Sequence, residues 1–234
     1  MEAPKEIVIR KKLHRITMRY LFVSILDALD VEKGFLFSLK SFFLNPKSAF
    51  EGYLNDDRYR HSNPFKLAVV LTAITVFLTI EFGFTELIAD ELNDGYRSGG
   101  QTEQAGETSA MFETTINEYY NVMMLAALPV LALSSLLFYK KTGYNYAEHL
   151  TLNCFMFSVT SVMYCISFPL QMWSSTMMTV YVILSFGYQI WVYRSALGGT
   201  VLRAFMASLT GYVIYFLLFV VVMILVVLTH MANW

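Results

Sequence analysis

Leu150–Tyr193, LTLNCFMFSVTSVMYCISFPLQMWSSTMMTVYVILSFGYQIWVY, is an uncharged stretch that decides the fold of this chain. A single helix of this length would measure roughly 66 Å, about twice the ~30 Å hydrocarbon core of a bilayer. The stretch must therefore fold back on itself, either near Phe168-Pro169 or near Trp173-Ser174-Ser175. The sequence predicts two antiparallel transmembrane helices here, over residues 150–169 and 174–193.

Three more segments are apolar over the roughly 20 residues that a crossing requires. They are residues 64–84, 119–139 and 204–229. The first contains Lys66 and Glu81 near its two ends, where their side chains can reach opposite interfaces. The chain is 56% hydrophobic and 15% charged, whereas soluble domains are about 25% charged. The sequence thus predicts an all-α membrane protein with about five transmembrane helices in a domain over residues 64–234.

The basic residues alternate with the predicted spans. Twelve Lys and Arg lie in residues 1–66, one in 83–118, two in 140–149 and two in 194–203. Five spans therefore put sixteen basic residues on one side, which the positive-inside rule makes cytoplasmic. The N-terminus is predicted to be cytoplasmic and the C-terminus extracytoplasmic. The acidic segment 85–118 is predicted to be a solvated loop on the far side.

Residues 1–63 are predicted to be a cytoplasmic and interfacial segment of short amphipathic helices. Ile16–Leu29 and Gly34–Leu44 are apolar but too short to cross a bilayer. The second has lysines at Lys33, Lys40 and Lys47 and several phenylalanines between them. Basic flanks with an aromatic face favour a helix lying in the membrane interface. A helix packed against the bundle is the alternative.

Candidate polar residues gather where the third span enters the membrane. Glu148 and His149 stand there, and a carboxylate in the first turn of a helix is favoured by the helix dipole. Histidine titrates near neutral pH, so the pair is also a candidate for handling a proton or a ligand. A third interpretation is a buried ion pair between Glu148 and Arg58 or Arg194.

A polar face continues along the same span. Its members are Asn153, Thr160, Tyr164, Ser167 and Gln171, and their spacing of seven, four, three and four puts them on one side of a helix. Such a face either forms hydrogen bonds with neighbouring helices or lines a water-filled pathway. We expect no catalytic, cofactor-binding or metal-binding set, because no hydrolase, zinc-protease or nucleotide-binding motif is present.

Several short motifs lie around the first and third predicted spans. They are Phe42-Phe43-Leu44-Asn45-Pro46, Phe50-Glu51-Gly52-Tyr53-Leu54, Arg58, Asn63-Pro64-Phe65 and Tyr146-Ala147-Glu148-His149-Leu150. Together they resemble motifs of the DUF3667 family of multi-pass membrane proteins, found mainly in Bacteroidota. The layout is also similar to that of Yip1-type proteins. The resemblance implies a bacterial inner-membrane location and this architecture rather than an activity. The chain departs from the family at Phe155 and Phe157, where many members have a His-x-His pair, and it has no N-terminal Cys-x-x-Cys.

The sequence therefore favours a non-enzymatic scaffold or assembly protein of the inner membrane. Its expected partners are the lipid bilayer and another membrane protein or a second copy, and a net charge of -1 favours no nucleic acid. The alternative is a small transporter or channel subunit that uses the polar face of the third span. A lipid-acting enzyme with Glu148 and His149 as an acid–base pair is the third hypothesis.

Overall fold

The computed structural model describes residues 34–55, 58–83 and 104–232, and every regular element in those ranges is helical. The helices are α1 (Gly34–Leu44), α2 (Pro46–Asn55), α3 (Pro64–Glu81), α4 (Gln104–Phe138), α5 (Tyr146–Trp173), α6 (Ser175–Leu197) and α7 (Val201–Ala232). Short 3-10 turns cover Arg58–Arg60 and Lys140–Thr142. The predicted helix Ile16–Leu29 and the centre of the acidic segment lie outside the described residues.

Four segments within these ranges are long and apolar enough to cross a membrane. They are Arg58–Glu81, Glu118–Phe138, Tyr146–Trp173 and Val201–Val222. They coincide with the first, second, third and fifth predicted spans, and the prediction of an all-α membrane protein is confirmed. One boundary differs, because α4 begins at Gln104, inside the segment predicted to be a loop. Its first turns carry Glu107 and Glu113 and precede the apolar part of the helix.

The predicted fourth span corresponds to α6, which has 23 residues. This helix is long enough to cross but less apolar than the other four, since Tyr181, Tyr188 and Gln189 interrupt its apolar residues. That α6 crosses the membrane therefore stays a prediction, and the contacts of α6 with α5 support it. Tyr193 near its end bonds to Asn153 near the start of α5, and Tyr181 near its start bonds to the middle of α5. The two helices therefore run antiparallel, side by side.

The chain turns between α5 and α6 at Ser174. Of the two breaks that the sequence allowed, the structure has the later one, and Pro169 lies inside α5. Ser174 adopts an extended conformation with φ -156° and ψ 127°. Its N–H still donates to Leu170 O at 3.2 Å, so the helix keeps its hydrogen bonds up to the turn. A transmembrane helix tolerates proline where neighbouring groups satisfy the backbone.

Helix α1 packs on the bundle with one face and exposes the other. The ring of Phe42 is fully buried and stacks on Phe155 of α5 with centroids 4.0 Å apart. Tyr188 Oη of α6 donates to Phe42 O at 3.1 Å. On the opposite face Leu36 and Leu44 are exposed. Helix α1 thus packs against the bundle, which is the alternative that the sequence left open. It also keeps an exposed apolar face, as expected of a helix in the membrane interface.

Helix α2 and both 3-10 turns gather at one end of the bundle. Phe50 of α2 is fully buried and its ring meets Tyr144 edge-on at 5.3 Å. Arg203 lies over the ring of Tyr139 with Cζ 5.9 Å from the centroid. Of the basic segments that the sequence placed on one side, the parts that the structure describes therefore share this end, which we call the basic end. Which side of the membrane the basic end faces remains a prediction.

The start of α1 is fixed by a close backbone approach that requires glycine. A Cβ added to Gly34 would lie 2.8 Å from both Arg60 O and Ser62 N. One turn later, Ser38 Oγ donates to Gly34 O at 2.7 Å and accepts from Ser62 N at 2.9 Å. These backbone contacts join α1 to the segment that leads into α3.

We expect Gly34→Ala to lower the stability of the detergent-solubilised protein by about 1–3 kcal/mol, because the methyl group would push two backbone segments apart. The measurement is thermal unfolding followed by circular dichroism. Gly52→Ala in α2 is the matched control, since its Cβ would meet nothing within 4 Å and alanine is the better helix former. Equal Tm values for Gly34→Ala and the wild type would contradict the proposed close contact.

Candidate functional site

A buried hydrogen-bonded cluster joins α4, α5 and α6 near the basic end. Tyr193 Oη donates to Asn153 Oδ1 at 2.7 Å, and Asn153 Nδ2 donates to His149 O at 2.8 Å and contacts Ser135 Oγ at 3.3 Å. His149 Nδ1 lies 2.9 Å from the same Ser135 oxygen, and Gln189 Nε2 lies 3.4 Å from Tyr193 Oη. All five side chains are at most 1% exposed. We call them the polar cluster.

The hydroxyl of Ser135 lies within hydrogen-bonding distance of two acceptors. Its oxygen is 3.0 Å from Ala132 O and 2.9 Å from His149 Nδ1. The one hydroxyl proton serves either Ala132 O, with the imidazole proton on Nδ1, or Nδ1 itself, with the imidazole proton on Nε2. In both arrangements His149 Nε2 is buried without a partner among the described residues.

Glu148 caps the helix rather than forming an ion pair. Its Oε2 accepts from Asn145 N at 2.7 Å, and Asn145 Oδ1 accepts from Glu148 N at 3.0 Å. These reciprocal bonds are a capping box, which satisfies two backbone donors at the start of α5. A carboxylate that caps the first turn of α5 is therefore enough to explain the position of Glu148.

The predicted pairing of Glu148 with Arg58 or Arg194 is not present. The ion pair that the structure has between described residues joins Lys47 Nζ to Glu51 Oε1 at 3.9 Å. Arg58 instead lies over the ring of Tyr53, with Cζ 5.2 Å from the centroid. Arg194 is exposed in the last turn of α6, where a cation complements the helix dipole.

Tyr144 lies beside the polar cluster at the basic end. Its ring meets that of His149 edge-on, with centroids 6.5 Å apart. Burial raises the pKa of the Tyr144 hydroxyl, and the nearby Glu51 and Glu148 carboxylates raise it further. The hydroxyl therefore stays neutral near physiological pH, and Tyr144 adds no charge beside the buried imidazole.

Thr160, Tyr164 and Gln171 of the polar face on α5 line a cavity of about 420 Å³. Five helices, α3 to α7, form its wall, and its most prominent residues are tyrosines: Tyr120, Tyr164, Tyr181, Tyr212 and Tyr215. Gln171 in the last turn of α5 marks the end remote from the polar cluster. Among the described residues that line this cavity there is no Asp, Glu, Lys, Arg or His. We call it the tyrosine cavity.

Four of the cavity's tyrosines have hydrogen-bond partners. Tyr164 Oη lies 2.9 Å from Thr79 Oγ1, and Tyr120 also bonds to Thr79. Tyr181 Oη donates to Thr160 O at 3.3 Å, and Tyr215 Oη donates to Met123 O at 3.0 Å. The Nε2 of Gln171 donates to Ser167 Oγ at 2.6 Å, while its Oε1 is buried without a partner among the described residues. The cavity therefore has an aromatic wall, and one residue of that wall, Gln171, holds a buried acceptor.

Four of the predicted site residues belong to the polar cluster or line the tyrosine cavity. Asn153 and His149 belong to the polar cluster, and Tyr164 and Gln171 line the tyrosine cavity. Ser135 and Tyr193 were missed, because each is a single polar residue on another helix and no pattern in its own segment distinguishes it. Gln189 bonds to Tyr193 of its own helix α6, and Tyr188 of the same helix bonds to α1.

Comparisons of the chain with family models, with curated proteins and with solved structures found no match. The resemblance to the DUF3667 family and to the Yip1-type layout therefore stays a prediction. Within residues 34–55, 58–83 and 104–232, no group of three or more His, Cys, Asp or Glu is arranged to hold a metal ion. The polar cluster and the tyrosine cavity are thus the two features from which a function can be argued.

Tyr193→Phe tests the structural role of the polar cluster. It removes one hydroxyl and leaves Asn153 Oδ1 buried without its donor, so we expect a stability loss of about 1–3 kcal/mol. Tyr59→Phe is the matched control, because Tyr59 is 85% exposed. Thermal unfolding in detergent compares the two, and equal Tm values would exclude a stabilising role for the Tyr193 bond.

Replacing Glu148 by Gln and by Ala separates capping from ion pairing. Gln keeps a carbonyl oxygen that can accept from Asn145 N, so Glu148→Gln should cost little. Glu148→Ala removes the acceptor and should cost about 1 kcal/mol. Thermal unfolding of both variants is the measurement. Equal losses in the two variants would mean that the charge, and not the hydrogen bond, is what matters.

Proposed function

We propose that this chain is a non-enzymatic integral membrane protein that binds a small, uncharged amphiphilic molecule in the tyrosine cavity, as a small transporter does. One observation carries the proposal: the predicted polar face of α5 lines this cavity and keeps a buried acceptor, Gln171 Oε1, without a partner. A buried acceptor that lacks a donor costs free energy, and a ligand donor would recover it.

The size and lining of the cavity indicate the class of ligand. About 420 Å³ falls within the range of about 300–1,000 Å³ typical of small-molecule sites. The aromatic wall suits a flat apolar body, and Gln171 suits one hydroxyl or amine donor on it. An ion is disfavoured, because charges inside a membrane normally pair with opposite charges and the described residues of the cavity lining supply none.

The packing of α1 and α2 favours the transporter hypothesis over the scaffold hypothesis. The scaffold hypothesis relied on aromatic residues of the N-terminal segment being available to a partner. Phe42 and Phe50 are instead fully buried in the bundle, so those rings hold the segment in place. The outer face of α1, with Leu36 and Leu44 exposed, still supports the scaffold as a second candidate.

Ligand-induced stabilisation tests the proposed binding. The probes are 1-naphthol, which has one hydroxyl donor, and 1-methoxynaphthalene, which has none. We expect 1-naphthol to raise the Tm of the wild type more than 1-methoxynaphthalene does. Gln171→Leu should abolish that difference, because it removes the acceptor and so weakens 1-naphthol binding by roughly tenfold.

Two neighbouring alanines of α4 supply a matched pair of variants. Ala127 lines the cavity, whereas Ala126 is exposed on the outer surface. Ala127→Phe fills the space and should abolish stabilisation by 1-naphthol, and Ala126→Phe should preserve it. If 1-naphthol stabilises both variants equally, the probe acts through the detergent belt, and the proposal is overturned.

A further inference from the structure

A second concave surface lies outside the bundle, between α1 and α5. It is a groove of about 450 Å³ lined by Leu39 and Phe43 of α1 and by Val159, Val162 and Met163 of α5. Lys40 supplies its one charged side chain. The groove shares no lining residue with the tyrosine cavity, so an inference from it is independent of the proposed function.

The position of the groove follows from the contacts of α1. The start of α1 lies beside Arg60 and Ser62 at the basic end. From there the wall follows α5 outward to Ile166, which also lines the groove and is 74% exposed. Val159 and Ile166 are seven residues apart, so the wall extends roughly 10 Å along a helix long enough to cross the membrane.

The lining of the groove suits a phospholipid. A row of apolar groups follows the outer surface of a membrane-crossing helix, and Lys40, an exposed residue of α1, borders the groove. An acyl chain can lie along the row while its phosphate meets the ammonium group. A neutral apolar helix in the same place would leave Lys40 without a counter-charge, whereas an anionic lipid supplies one.

We propose that this groove binds one anionic phospholipid, with an acyl chain against Val159, Val162 and Met163 and the headgroup phosphate beside Lys40. The lipid would fill the space between α1 and α5 and so hold α1 against the bundle. The relevant chemistry is an anionic headgroup on an acyl chain, as in phosphatidylglycerol. A zwitterionic lipid lacks the net negative charge that Lys40 would select.

Native mass spectrometry of the full chain in detergent, with added lipid, tests this proposal. The probes are phosphatidylglycerol and phosphatidylcholine with identical acyl chains. The wild type should retain phosphatidylglycerol in preference, and Lys40→Gln should reduce that preference roughly fivefold. Lys47→Gln is the control, because Lys47 is also exposed but already pairs with Glu51 at 3.9 Å, and it should preserve the preference.

A second pair of variants tests the apolar wall. Ile166→Trp places a large ring in the groove and should reduce retention of both lipids. Ile183→Trp, at a position on α6 that is 64% exposed and outside the groove, should not. Unchanged lipid preference in Lys40→Gln would overturn the proposal. A protein dimer that Ile166→Trp converts to monomer would also overturn it, because a second copy would then occupy the groove.

Discussion

Asn153 lies where α4, α5 and α6 meet, and its amide serves all three. The oxygen accepts from Tyr193 of α6, and the nitrogen bonds to the α5 backbone and to Ser135 of α4. The bilayer core offers no water to replace these bonds, so polar groups there must find protein partners. One such contact is worth only about 0.6 kcal/mol on average. Its larger effect is on register, because sliding α6 along α5 would leave several buried polar groups unpaired.

The register of α6 against α5 determines which residues meet further along these two helices. With Tyr193 held at Asn153, the antiparallel α6 brings Tyr181 beside Thr160 and Tyr164. The tyrosine cavity forms at that level, enclosed by α3, α4 and α7. The polar face of α5 thus has two roles. Near the basic end its groups are largely paired and hold helices together, and towards Trp173 it holds a buried acceptor, Gln171 Oε1, without a partner among the described residues.

Phe155 connects the bundle to the N-terminal helices. Its ring stacks on Phe42 and meets Tyr53 and His61 edge-on at 5.1 and 6.1 Å. Aromatic contacts from α1, α2 and the segment before α3 surround the Phe155 ring. This aromatic packing holds α1 where the outer groove can form.

The sequence by itself determined the membrane class and most of the spans, because the cost of burying charge in a bilayer leaves long uncharged runs. It also predicted a carboxylate in the first turn of this helix, and Glu148 lies in the first turn of α5. It left open the break between α5 and α6, because a transmembrane helix can contain a proline such as Pro169. Only the tertiary structure decided that Ser135 and Tyr193 join His149 and Asn153, that Gln171 faces a cavity and that Lys40 borders a groove. These contacts depend on which helix faces which, and lateral packing leaves no periodic signal in any single segment.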